Sequence, residues 1–295
     1  MQMNHETDGR NRAETVRLYP GIHISFYSLT AETESFPIYD GHSEQILEIN
    51  YCRAGRIGWI RKNGSSVYLG PKDFSLHTMQ AYADSRRTLP NGFYDGMTLR
   101  IDLQELISHP PEPLEDAEVV GTLLYEKFCR SAAFPSFAGN RETEAIFSFF
   151  YNQPPALQLS YQKIKILELL LYLCRPDHIT ERRLTEYQSE QVEIVHKIHE
   201  QLAQSLDQRV TIEALSKQYL MNPTTLKAVF KSVYGNSIAA HMKEHRMEEA
   251  ARLLTETDRS IAEIALAVGY DSQSKFSAAF KSCFHMLPKE YRKNR

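Results

Sequence analysis

Residues 211–235 read TIEALSKQYLMNPTTLKAVFKSVYG, and residues 260–284 read SIAEIALAVGYDSQSKFSAAFKSCF. Each stretch opens with a short segment of helical apolar periodicity, breaks at a polar turn and continues as a second short helix. Both second helices carry Phe-Lys-Ser, at Phe230-Lys231-Ser232 and at Phe280-Lys281-Ser282. Thr211 matches Ser260 at a spacing of 49 residues and Phe230 matches Phe280 at 50, so the second copy has one extra residue in its turn. Two short helices joined by a tight turn make a helix-turn-helix, and a tandem pair implies two separate contacts with DNA.

The side-chain chemistry of each copy agrees with that reading. Thr211 is suited to cap the first helix, with Ala214, Leu215 and Tyr219 facing inward. Asn222 caps the second helix, and Pro223 suits its first position, where an N–H would have no helical partner. Leu226, Val229 and Phe230 form the buried stripe of that helix. In the second copy Gly269 supplies the turn, Ser272 the cap, and Phe276, Ala279 and Phe280 the buried stripe. A long helix over residues 237–256 joins the copies. A further helix precedes them, with Val195, Ile198, Leu202 and Leu206 on one face. This all-helical region begins near Glu190 and runs to residue 295.

A chain of 295 residues is long enough for two domains. Its 42% hydrophobic and 24% charged content is that of an ordinary water-soluble protein. No stretch approaches a membrane span, and residues 1–17 are polar, without the apolar centre of a signal peptide. Cys52, Cys129, Cys174 and Cys283 lie far apart without a CxxC, which suits reduced thiols in the cytoplasm. The net charge of -3 is uneven: residues 190–295 carry 15 Lys and Arg against 13 Asp and Glu, a balance of +2. Bulk charge alone would not mark a nucleic-acid binder, so any basic footprint is local.

Ahead of the helical region the pattern is β-like. ILEINYC (46–52) and RIGWIRK (56–62) flank Arg53-Ala54-Gly55. Asn63-Gly64 is a strong hairpin signal before SSVYLG (65–70), FSLHTM follows a turn at Pro71, and MTLRIDL (97–103) is a late strand. Many short strands with close turns predict a small antiparallel barrel or jelly roll. After Pro110-Pro111 the periodicity turns helical over 115–129, 142–151 and 157–174. The last of these is apolar on more than one face, which suits packing on its own domain or a shared dimer interface. The division predicted is a mobile tail over 1–17, a β-rich domain over 18–175, a linker over 176–189 and the helical domain over 190–295. The fold class is α+β.

The second copy carries Ile261, Ile264-Ala265, Gly269-Tyr270, Phe276, Phe280-Lys281, Pro288 and Tyr291-Arg292. In these residues the chain resembles the AraC/XylS family of bacterial transcription regulators, over about 100 residues. His285 departs from the pattern, standing where the family usually has a glycine after the second recognition helix. The β-rich half resembles the family's cupin-like barrel with appended helices, in layout only. The resemblance implies a homodimer on double-stranded promoter DNA, activation through RNA polymerase and a small-molecule effector in the barrel. It implies no catalysis, cofactor or metal.

A recognition helix reads base edges with the exposed residues of its first two turns. These are Thr224, Thr225, Lys227 and Ala228 in the first copy, and Gln273, Ser274, Lys275, Ser277 and Ala278 in the second. The small Ala228 and Ala278 imply fewer direct base contacts and more reliance on DNA shape. Lys231, Arg246, Lys281, Lys289 and Arg292 are the candidates for phosphate contacts. Effector candidates on the strands are Tyr27, Tyr51, Trp59, Arg61, His77, Tyr82 and Arg100; strand alternation leaves open which of them point inward.

Three other readings compete. His241-Met242-Lys243-Glu244-His245 has the H-x-x-E-H order of some zinc proteases. It falls in the helix between the copies, where both faces are already accounted for, and exposed histidines are the plainer expectation. A metal-dependent barrel enzyme needs clustered ligands, whereas His23, His42, Glu44 and His77 are scattered. The last alternative is a DNA-binding adaptor whose barrel only mediates assembly.

Overall fold

The structure is a computed structural model that describes residues 12–30, 45–78, 85–117, 119–130, 135–175 and 183–293. It divides into two compact units, Met1–Tyr187 and Gln188–Arg295. Among the described residues, no helix is long and apolar enough to cross a membrane.

The first unit is built on antiparallel strands β1 (Arg12–Tyr19), β2 (Ile22–Thr30), β3 (Ile46–Gly55), β4 (Ile57–Arg61) and β5 (Ser65–Leu69). They are followed by β6 (Phe74–Thr78), β7 (Ser85–Thr88), β8 (Phe93–Asp102), β9 (Ser136–Phe137) and the boundary strand β10 (Tyr187–Gln188). They form two sheets, ordered β1-β2-β8-β3-β6-β9 and β10-β5-β4-β7. Among the described residues the strands do not close into one barrel; the unit is a pair of sheets. Asn63-Gly64 makes the β4–β5 hairpin, with Gly64 at φ +80° and the Asn63 side chain accepting from the Ser65 N–H. β3 and β4 do not pair. Gly55, at φ +73°, lets the chain leave one sheet for the other, and a Cβ there would fall 2.3 Å from the Phe93 carbonyl oxygen.

Two boundaries differ from expectation. The tail expected over 1–17 becomes strand at Arg12, because β1 pairs along β2 from Arg12↔Ser28 to Tyr19↔Ile22. Residues 176–182 of the expected linker lie outside the described residues. From Arg183 the chain is already engaged with the first unit: Leu184 N–H donates to the Ser136 carbonyl and Glu186 pairs with Arg61 at 2.7 Å.

Helices α1 (Leu103–Ser108), α2 (Val120–Phe128), α3 (Arg141–Ser148) and α4 (Pro155–Cys174) contribute to the core of the first unit. Asp102 caps α1 through the N–H groups of Gln104 and Glu105, and Asn140 forms a capping box with Thr143 on α3. Leu47, Ile49, Leu99 and Ile101 of the large sheet are buried with Phe147, Phe150, Ile166 and Leu170 in one core. On its other side α4 leaves Leu157, Ile164 and Leu171 exposed, at 49%, 61% and 45%. These three fall seven residues apart, along one stripe.

The second unit is α5 (Ser189–Gln204), α6 (Ile212–Gln218), α7 (Pro223–Tyr234), α8 (Ile238–Glu256), α9 (Ile261–Ala267), α10 (Gln273–Phe284) and α11 (Pro288–Lys293). Thr211, Asn222, Ser237, Ser260 and Ser272 cap helices through their side-chain oxygens. Leu215 is buried, whereas Ala214, expected inward, is exposed on the outer face of α6.

Each copy needs two residues in the left-handed region, one in its turn and one after its second helix, and the copies place glycine oppositely. The first uses Leu220 (φ +51°) and Gly235 (φ +88°); the second uses Gly269 (φ +78°) and His285 (φ +59°). His285 therefore adopts the left-handed cap that a glycine would take without steric cost. A Cβ at Gly269 would lie 2.6 Å from the Leu206 carbonyl oxygen. Urea unfolding of the full chain is expected to show His285→Gly stabilising the second unit by about 0.5–1 kcal/mol. Gly269→Ala should cost about 2 kcal/mol or more, from left-handed strain and overlap together.

Candidate nucleic-acid interface

The two recognition helices are each twelve residues long and each is divided lengthwise. α7 buries Leu226, Val229, Phe230 and Val233 and exposes Thr224, Lys227, Ala228 and Lys231. α10 buries Phe276 and Phe280 and exposes Gln273, Ser274, Lys275, Ala278 and Lys281. The three-and-four spacing explains the division, since residues so separated share one helical face. Thr225 and Ser277 lie at the margin and are half-buried. Gln273 occupies the first turn of α10, beside the Ser272 cap that accepts from the Lys275 N–H at 3.3 Å.

The cationic candidates separate into two groups. Lys231, Lys281 and Lys289 are exposed, and among the described residues none has a carboxylate partner. Arg246 and Arg292 are half-buried and already committed to main-chain carbonyls. Arg246 donates from Nε to Leu206 and from Nη2 to Gln208, both at 2.8 Å, which ties α8 to the turn before α6. Arg292 donates to the Arg259 carbonyl at 2.5 Å, fastening α11 beside the entry to α9. These bonds brace the fold, with each guanidinium donating to main-chain carbonyls of a distant segment. Arg209, which periodicity did not single out, is exposed beside the second turn and lies 3.6 Å from Asp271. Only tertiary packing brings those two positions together.

The histidines of the H-x-x-E-H segment are not the exposed pair expected. His241 is 6% exposed and His245 half-buried, and both face His199 of α5. Burial, reinforced by His245 in both cases, by His196 for His199 and by His199 for His241, pulls His199 and His241 down to about 4 and keeps them neutral at neutral pH. Tyr234, at the end of α7, stacks on His199 at 4.4 Å and its hydroxyl lies 2.9 Å from His196 Nδ1.

In the first unit the effector candidates divide by strand face. Tyr51 points into the helix-covered core and stacks on Phe147 at 4.3 Å. Its neighbours Glu48, Asn50 and Cys52 take the opposite face, as alternation on β3 requires. There Tyr27 and Trp59 join a small apolar cluster drawn from both sheets. Next to it lies a polar layer. Arg100 Nε donates to Glu48 Oε1 at 2.7 Å, His77 Nε2 lies 3.2 Å from Glu48 Oε2, and Thr98 donates to Asn50 at 2.6 Å. Arg61 is held by Glu186. Burial alone would raise the Glu48 carboxyl, but the hydrogen bond and charge of His77, with Arg100, outweigh it and hold the group below the usual range. The buried Ser75 hydroxyl, on the His77 face of β6, has no hydrogen-bond partner. His42, Glu44 and Tyr82 lie outside the described residues.

Comparison with known proteins places the second unit. The family model described as a helix-turn-helix domain matches residues 215–294. The chain is 37% identical over 82 residues to the HTH-type transcriptional regulator AlkR of Acinetobacter baylyi, covering 28% of this chain and 27% of that protein. It is 30% identical over 150 residues to the xylose operon regulatory protein of Escherichia coli K12, covering 46% of this chain and 37% of that one. It is 32% identical over 85 residues to the probable transcription factor PqrA of Proteus vulgaris, covering 29% of this chain and 70% of that protein. The aligned region thus spans well under half of the two larger relatives and most of the small one. With the repeat, the caps and the two divided helices already established, these matches show that the chain belongs to the AraC/XylS family of transcriptional regulators.

Proposed function

We propose that this protein is a sequence-specific transcriptional regulator that binds promoter DNA with α7 and α10 in successive major grooves. The observation that carries this reading is the lengthwise division of both helices within one compact unit. Each buries a phenylalanine-centred stripe and presents polar and basic residues from its first turns. Grooves on one face of B-DNA recur at roughly 34 Å, and α8 is the rigid element that sets the separation of the two copies. Lys231 and Lys281 on the exposed faces, with Lys289 on α11, supply phosphate contacts, and Gln273 is matched to the bidentate edge of adenine. The two copies expose different residues, so the site read by one protomer is not itself a repeat. No catalysis belongs to this reading.

The first unit serves assembly and sensing in the same proposal. The stripe of Leu157, Ile164 and Leu171 on α4 is the homodimer contact. The layer of Glu48, His77, Arg100 and Asn50 between the sheets is where a small polar effector binds, with the unpartnered Ser75 hydroxyl as a free hydrogen-bonding group. Effector occupancy is passed through residues 176–189 to the DNA-binding unit, activation runs through RNA polymerase, and the protein works in the cytoplasm. The adaptor reading, with an inert first unit, predicts instead that no metabolite raises its melting temperature.

The DNA assignments are tested by binding to an operator selected from random duplexes. Gln273→Ala should cost about 1–3 kcal/mol at one base pair and relax specificity there. Lys231→Ala should weaken binding to every sequence and lower the salt slope by about one unit. Equal losses on specific and random DNA from the Gln273 change would defeat its base-reading role. For assembly, Ile164→Glu should convert a dimer to a folded monomer in light scattering; an unchanged mass would remove α4 from the interface.

Acid unfolding tests the polar layer. Because the Glu48 carboxyl is lowered in the folded state, its stabilisation is present above the ordinary glutamate range, about 4.3, and is lost as pH falls through its lowered value. Glu48→Gln should flatten that limb of the pH–stability curve of the first unit. A wild-type limb in the variant would show that Glu48 carries no such linkage.

A further inference from the structure

Three imidazoles converge between α5 and α8, against Tyr234 at the end of α7. The Nε2 of His245 on α8 lies 3.3 Å from that of His199 on α5 and 3.1 Å from that of His241 on α8. The ligand atoms of all three lie within 4.8 Å of one another. A neutral imidazole nitrogen carries either one proton or one lone pair. His245 Nε2 therefore cannot make two ordinary linear hydrogen bonds, and the cluster holds more facing nitrogens than it has bonds to join them.

A cation resolves that surplus. With zinc–nitrogen bonds of roughly 2.0–2.1 Å, the edge of a ligand tetrahedron is about 3.3–3.4 Å, close to the two observed separations. His241 and His245 stand one helical turn apart, and His199 approaches from the facing helix, so the donors come from two elements rather than from one flexible loop. The Glu248 carboxylate lies 3.7 Å from His245 Nδ1, where it can orient the ring from behind. His241 is buried while the His245 side chain is 33% exposed, which leaves an open side for entry and for a solvent ligand.

The second copy provides an internal control. His241 corresponds to Tyr291 and Tyr234 to Phe284 at the same offset of 50 residues. There Phe280, Phe284 and Tyr291 fill the space with rings alone, at centroid separations of 4.5, 5.2 and 5.3 Å. Closing this bundle does not require imidazoles.

We propose that His199, His241 and His245 form a three-nitrogen site for a zinc-class divalent transition metal, with solvent as the fourth ligand, which staples α5 to α8. An all-imidazole donor set suits zinc and its neighbours and disfavours magnesium and calcium, which take oxygen ligands. The staple bears on α7 as well, because Tyr234 at its end is stacked on His199. Metal binding here is independent of whether the assigned residues read DNA.

The test uses the untagged full chain stripped of metal with a chelator and dialysed. Calorimetric titration with zinc chloride should give one equivalent per chain, and cobalt chloride should produce the visible bands of a low-coordinate nitrogen site. Zinc should raise the melting temperature of the second unit, and magnesium chloride should do none of these things. The double variant H199Q/H245Q should lose all three responses, while H109Q, which alters an exposed histidine of the first unit, should keep them. Failure of the folded wild type to bind zinc stoichiometrically, or undiminished binding by the double variant, overturns the proposal. If the double variant does not fold, the wild-type titration and cobalt spectrum still decide it.

Discussion

A twelve-residue helix has little stability in water, so a recognition helix holds its place only by burying one side of itself. In this protein that anchor is a phenylalanine in each copy. Phe230 and Phe280 are wholly buried, each next to further aromatic rings. Removing such a ring costs about 3–5 kcal/mol in other cores, a large part of the stability of a unit this size. The arrangement of the reading surface follows from it. Once Phe230 and Phe280 face inward, residues three and four positions away along the same stripe, such as Leu226, Val233 and Phe276, are buried with them, and residues off that stripe, Lys227, Ala228, Lys231, Ala278 and Lys281 among them, point out.

The two copies reach the same backbone by different chemistry. Each demands two left-handed residues, and glycine meets the demand once per copy, at Gly235 in the first and Gly269 in the second. Leu220 and His285 bear the steric cost at the other positions, which packing of the adjoining helices must offset. The interiors differ as well: the second copy is closed by aromatic and aliphatic side chains alone, and the first adds three histidines against Tyr234 to its buried aliphatic and aromatic residues. A scaffold repeated in outline has thus been filled with apolar rings on one side and potential ligands on the other.

The first unit shows the same separation of scaffold from content. The large sheet has two dissimilar faces. Leu47, Ile49 and Tyr51 enter an apolar, helix-covered core, while Glu48, Asn50 and Cys52 face the second sheet. A carboxylate buried as deeply as Glu48 survives there because Arg100 and His77 both reach its oxygens. Both Glu48 oxygens are therefore already engaged, and a ligand entering the polar layer must compete with internal partners or use groups such as the Ser75 hydroxyl.

Local sequence was enough for the helix-turn-helix repeat, its extra turn residue, the caps at Thr211, Asn222 and Ser272, the Asn63-Gly64 hairpin and the buried stripes of α7 and α10. Each of these depends on neighbours within about four residues, where residue type and backbone geometry are tightly linked. Other features depend on residues far apart in the chain and had no local signal. β1 forms at Arg12 because β2 offers it an edge, and Tyr51 belongs to the helix-covered core because of how β3 registers between β6 and β8. Arg246 and Arg292 read as free cations until carbonyls 40 and 33 residues away are seen to hold them. His241 and His245 read as an exposed pair until α5 brings His199 against them across 46 residues of chain. Periodicity reports which face of an element is apolar; which distant group meets that face is decided only when the chain closes on itself.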